Sequence, residues 1–89
     1  MAKCKLCGRE KELTFHHFIP KTLHKNKWFK KRFTKEQMSQ GIYICEHYCH
    51  PEIHKYITEK EMGREYNTLE LLRNHPQVSK YIKWVRKQP

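Results

Sequence analysis

The sequence contains no aspartate: all nine of its acidic residues are glutamate. Metal or acid–base chemistry in this chain therefore has to rest on His, Cys or Glu. Long apolar runs are missing too, and no window approaches the about twenty apolar residues that a membrane-spanning helix needs. The first residues, MAKCKLCG, lack an apolar signal-peptide core, so the sequence predicts a protein that is not exported and works in the cytoplasm. Negative charge is scarce, with nineteen Lys and Arg against nine Glu, a net charge of +10 and a pI near 9.6. Such a balance points to a polyanionic partner, most often nucleic acid, and away from membranes as an integral location. Bulk hydrophobicity is low as well, at 37% hydrophobic residues and a mean hydropathy of −1.01 over 89 residues. A chain this short and polar forms one small domain, cannot bury a large core, and calls for a staple.

Four cysteines supply the candidate staple: Cys4, Cys7, Cys45 and Cys49. In a reducing compartment, two close cysteine pairs hold zinc more often than they form disulfides. Cys4-Lys5-Leu6-Cys7-Gly8 reads as a zinc knuckle, with Gly8 giving the chain freedom to curl beneath the sulfurs. Residues 12–19, apolar and partly alternating, predict a strand that Pro20 ends, and Ile42-Tyr43-Ile44 predicts a second. Between them Thr34-x-x-Gln37 has the pattern of a capping box, for a short helix expected to stop at Gly41. A helix is expected from Cys49 to about Ile57. Thr58-x-x-Glu61 reads as a further capping box, and Asn67-x-x-Glu70 resembles another. His75-Pro76 should open a last amphipathic helix, with Val78, Tyr81, Ile82 and Val85 facing inward and His75 as its cap.

Histidines form the second cluster. His50 and His54, one turn apart, put both imidazoles on one helix face, as a bidentate metal grip requires. A third ligand should come from His16-His17 at the end of the first strand. Neighbours on a strand point to opposite sides, so only one of the two ligates and the other stays free to meet substrate. Three imidazoles leave coordination positions open, the ligand count of a catalytic rather than a structural metal site. Basic residues are unevenly distributed around this cluster: eleven lie in 1–35, eight in 55–89, and none in 36–54. The densest stretch, residues 21–35, interleaves Lys21, Lys25, Lys27, Lys30, Lys31 and Arg32 with Trp28, Phe29 and Phe33. The cations there are expected to contact phosphates and the aromatics to anchor the segment to the domain. No element resembles a recognition helix, so weak sequence specificity is expected.

Taken together, Cys4-x-x-Cys7, Phe15-His16-His17-Phe18-Ile19-Pro20 and Ile44-Cys45 … Cys49-His50-x-x-x-His54 resemble the HNH nucleases of the ββα-metal class. The treble-clef zinc knuckle is a relative of that fold. The likeness is greatest to small four-cysteine bacterial and phage HNH proteins, and the segments from Tyr66 to Glu70 and from Trp84 to Gln88 share it. It implies an α+β domain whose knuckle and ββα core span residues 1–57, with a helical extension over 58–89. It implies a structural zinc on the four cysteines and a catalytic Mg, Mn, Ni or Zn ion on His16, His50 and His54. His17 would be the general base that activates water against a DNA phosphodiester. Two departures stand out. The second cysteine pair is spaced by three residues rather than two, with His47 inside it as a substitute ligand. Gln40, beside Ser39, occupies the place of the Asn that normally helps orient the base. The alternative expectation is a non-catalytic zinc-finger module that binds DNA or serves a larger nucleic-acid-processing machine. An RNA substrate is compatible with either.

Overall fold

The computed structural model describes residues 2–88 and has α+β architecture. Its one sheet among the described residues is an antiparallel hairpin of β1 (Leu13–His17) and β2 (Gly41–Cys45). The register pairs His16 with Ile42 and His17 with Gly41. Both strands were legible in the apolar pattern, although β1 stops three residues before Pro20. The long connection between them carries a 3-10 turn over Lys21–Leu23 and two short helices, α1 (Lys27–Arg32) and α2 (Lys35–Met38). Four more helices follow: α3 (Cys49–Tyr56), α4 (Glu59–Glu65), α5 (Leu69–Arg73) and α6 (Pro76–Val85).

The helix boundaries follow from their caps. Thr34 with Gln37 and Thr58 with Glu61 form reciprocal capping boxes, each hydroxyl and each side-chain oxygen satisfying an orphan backbone N–H. His75 accepts the backbone N–H groups of Gln77 and Val78 on Nδ1, and Pro76 fills the first position of α6. Two expectations need correcting. The cap of α5 is Thr68, which accepts from Leu71 N, while Asn67 instead donates Nδ2 to the Gly63 carbonyl and closes the end of α4. The helix α2 ends at Met38 rather than at Gly41, because Gly41 is already the first residue of β2.

Gly41 is needed for space. A Cβ there would overlap the His16 carbonyl and lie 2.8 Å from Phe15 Cζ. Since the carbonyl is backbone, no rotamer change relieves the clash. Gly41→Ala is expected to lower stability by about 3 kcal/mol, read from the urea midpoint.

Two apolar clusters hold these elements. The larger joins Leu6 and the four cysteines to Ile44, Ile53, Ile57, Met62, Leu72, Val78, Ile82 and Val85. It thus unites the knuckle, the hairpin, α3 and the C-terminal helices. Backbone contacts tie the same parts: Arg73 Nη2 donates to the Lys5 carbonyl at 2.8 Å, and Arg86 Nε to the Cys7 carbonyl at 3.2 Å. The smaller cluster, Ile19, Phe29 and Met38 with Leu23, Trp28 and Phe33 packed on it, holds the connection between the strands. The aromatics of residues 21–35 do anchor that segment, and they do so by forming a helix that its charge pattern had concealed.

Candidate functional site

At the knuckle, Gly8 takes a left-handed φ of +76° and its N–H reaches the Cys4 carbonyl at 2.9 Å, so the chain turns back under the thiols. Cys45 ends β2 and Cys49 begins α3, which brings the second pair against the first. All four sulfurs lie within 4.8 Å of one another, and Cys7 Sγ is 3.8 Å from Cys45 Sγ. A tetrahedral zinc with bonds of about 2.3 Å requires sulfurs about 3.8 Å apart, so the set can hold a metal ion such as zinc. The three-residue spacing between Cys45 and Cys49 is accommodated, and His47 lies elsewhere, exposed beside Glu12 and Glu46. Backbone N–H groups of Cys7 and Cys49 point at Cys4 Sγ (3.4 Å) and Cys45 Sγ (3.2 Å), giving two sulfurs support as anions. The Cys49 thiol, donating to Cys4, lowers the Cys4 pKa and raises its own, while burial pushes Cys7 up. Four such thiols do not all ionise without a cation among them.

The second cluster sits where β1 meets α3. His16 is buried on one face of the hairpin, and His50 and His54 project from α3 toward it. One ring nitrogen from each lies within 4.8 Å of those from the other two. Ring centroids are 5.4 Å apart for His16–His50, 5.6 Å for His16–His54 and 4.9 Å for His50–His54. His16 Nε2 is buried and has no hydrogen-bond partner among the described residues. An orphaned buried nitrogen costs about 1–3 kcal/mol, and its position between two other imidazoles fits a ligand for a divalent ion. Burial, followed by the neighbouring His50, His54 and His17, lowers the His16 pKa to about 3. His50 is lowered for the same first reason, with His54 adding to it.

This depression has a consequence for stability. His16 stays neutral in the folded protein, whereas in the unfolded chain it titrates near about 6.5. The unfolded state therefore binds the extra proton between these values, and stability, complete above the unfolded pKa, falls as pH drops toward the folded one. Between pH about 7.5 and about 5.5 the loss is expected to be about 1.4 kcal/mol in buffer without added divalent ions. Urea midpoints of wild type and His16→Gln check this, since the variant lacks that component of the slope.

His17 points the other way from His16, as strand alternation requires, and packs edge-on against Phe15 (4.9 Å) and His24 (5.6 Å). Its pKa is lowered by burial, then by His24 and Lys21, which keeps the imidazole able to accept a proton. His16, His17, His50 and His54 share one open cleft of about 220 Å³ with Lys21, Thr22 and Glu59. The window without basic residues in the sequence is thus not without them in space.

Three residues have roles that sequence reasoning passed over. Glu59, at the start of α4, contacts the Thr22 hydroxyl and closes one wall of the cleft. His24 Nε2 lies 2.8 Å from the Ile19 carbonyl. A carbonyl only accepts, so Nε2 carries a proton, and the ring packs edge-on against His17. Arg64 joins the basic surface of α1. Nothing in spacing or charge marked any of the three. Gln40 is adjacent but separate: its carbonyl accepts from Phe18 N at 3.2 Å, extending the hairpin, while its exposed side chain is not among those lining the cleft. Of the expected phosphate contacts, Lys21 lines the cleft, and Lys25, Lys27, Lys30, Lys31 and Arg32 are exposed further along the same connection.

Comparison with known proteins gives a relationship. Over 87 residues the chain is 34% identical to the uncharacterized protein YisB of Bacillus subtilis (strain 168), covering 97% of this chain and 75% of YisB. It belongs to the YisB family. No protein-family model matches the chain, and no solved structure matches it. The Cys and His clusters of this YisB-family chain carry its candidate chemistry.

Proposed function

We propose that this protein is a metal-dependent nuclease of the HNH, ββα-metal type that hydrolyses DNA phosphodiesters with little sequence preference. The observation that carries the reading is the convergence of three imidazoles from two elements, with a fourth, His17, unligated in the same cleft. His16, held by the hairpin, and His50 and His54, held by α3, provide three neutral ligands and leave the remaining positions to solvent and phosphate. His16, His50 and His54 would hold a divalent ion, which would supply positive charge for phosphodiester hydrolysis. Lys21 at the rim attracts the phosphodiester. His17, held neutral by burial, accepts the proton of the attacking water. Its orientation comes from packing on Phe15 and His24 and from the hairpin, whose register Gly41 and the Gln40 carbonyl help fix. The four cysteines, away from this chemistry, hold the start of α3 and the end of β2 in place by a structural zinc.

One observation favours a second reading. The side chain of Gln40 does not line the cleft, so the amide that orients the base in HNH proteins has no counterpart there. A non-catalytic zinc module that only binds nucleic acid would also carry this basic surface. Conversion of supercoiled plasmid to nicked circles separates the two, using protein stripped of metal at the histidines and resupplied in turn with Mg, Mn, Ni and Zn. A nuclease nicks only with an ion restored. A binding module shifts the plasmid and leaves it supercoiled under every ion.

A further inference from the structure

The indole of Trp28 in α1 carries two cations. The Arg32 guanidinium carbon lies 4.0 Å from the ring centroid, and that of Arg64, from α4, lies 4.4 Å from it. Arg32 is also tied by Nη1 to the Trp28 carbonyl at 3.1 Å. Both arginines are exposed, and among the described residues neither forms an ion pair with a carboxylate. One guanidinium on an indole is a sufficient cation–π contact to join two helices. A second concentrates positive charge around the same indole, which favours an anionic partner there.

The fold is shaped to bring the second arginine there. Gly63 is buried, and a Cβ at that position would come within 2.9 Å of two ring carbons of Phe29. Phe29 in turn packs on Trp28 with centroids 4.7 Å apart. The missing side chain at 63 lets α4 close on α1, and the next residue, Arg64, meets the indole. The same helix starts at Glu59 in the wall of the histidine cleft. Arg64, five residues on, is displaced from Glu59 by about 7.5 Å along the helix axis.

We propose that Arg32 and Arg64, braced by Trp28, form a phosphodiester-binding site for the strand that flanks the scissile phosphate. Its placement beside a cut rests on the nuclease reading, whereas its affinity for backbone phosphate does not. Each guanidinium offers five N–H donors in a planar fork suited to phosphate oxygens. Among the described residues one hydrogen bond, from Arg32 to Trp28, uses them.

The test is binding to a short fluorescent DNA duplex across a salt series, with Arg32→Gln, Arg64→Gln and the double variant compared in a His17→Ala background. Each single substitution is expected to reduce the slope of log K against log salt by about 0.9, and the double by about 1.8. Arg32→Lys with Arg64→Lys, which keeps both charges and loses the forks, should keep the slope and weaken binding several-fold. An unchanged slope in the double Gln variant, with a lowered melting temperature, would make the arginines structural and overturn the proposal. So would wild-type protein that binds the duplex without salt dependence. A slope that falls as expected, in a protein whose wild type never nicks, leaves the phosphate site standing and removes the nuclease reading. Nicking with arginines that do not alter the slope does the reverse.

Discussion

Chelating the zinc proposed for Cys4, Cys7, Cys45 and Cys49 is expected to unfold the whole domain rather than loosen one corner. All four side chains are at most 3% exposed and sit in the larger apolar cluster with residues of the hairpin, α3, α4, α5 and α6. Without a cation these sulfurs remain a mixture of buried thiols and thiolate. Structural zinc in comparable small domains supplies about 10–16 kcal/mol of apparent binding energy at neutral pH. A domain's whole net stability is about 5–15 kcal/mol, so its removal outweighs everything else the fold retains. A far-ultraviolet circular dichroism melt with and without a strong chelator reads the effect, and Cys49→Ser should reproduce it. A cooperative melt displaced by only a few degrees would mean that the thiols pack as ordinary apolar groups.

The second large effect is on catalysis. His17→Ala is expected to reduce plasmid nicking by about 10²–10⁴-fold, the usual contribution of a general base. Its effect on the melting temperature should be small, because His17 is only half-buried and touches its neighbours by ring edges. His16→Ala provides the contrast: it opens a void at a buried position and removes a ligand, so ion binding and stability fall together. Retention of nicking by His17→Ala, with dependence on an added ion intact, would assign the base elsewhere. His24 is then the next imidazole to test, since its ring packs against His17.

Local features could be read along the chain. Thr34, Thr58 and His75 cap helices as their spacing predicts, because a cap is a contact across three residues and needs nothing else of the fold. The knuckle turn at Gly8 is local in the same sense. His50 and His54 share a helix face by the geometry of one turn, and strand alternation sends His16 and His17 to opposite sides, so each pairwise relationship was legible. Local rules were less decisive where two residues competed: Thr68 takes the cap of α5 from Asn67, because its hydroxyl reaches Leu71 N and the Asn67 amide finds the Gly63 carbonyl instead. Gly41 looked like a helix stop and proved to be a clearance between strands, a demand set by the opposite chain.

What converges depends on how the elements pack. Which histidine of the pair joins α3 depends on the face of the hairpin that α3 covers, and burial of His16 settles it. That four sulfurs spread along the chain from Cys4 to Cys49 meet within 4.8 Å is a property of the packing of β2 and α3 on the knuckle. Glu59 at the cleft, His24 beside His17 and Arg64 on Trp28 left no trace in spacing, composition or periodicity. Each owes its place to α4 closing on the connection between the strands, which the bare backbone at Gly63 permits. Short-range hydrogen bonds and periodicity are written along the chain, whereas the fit of one surface on another depends on every side chain between them.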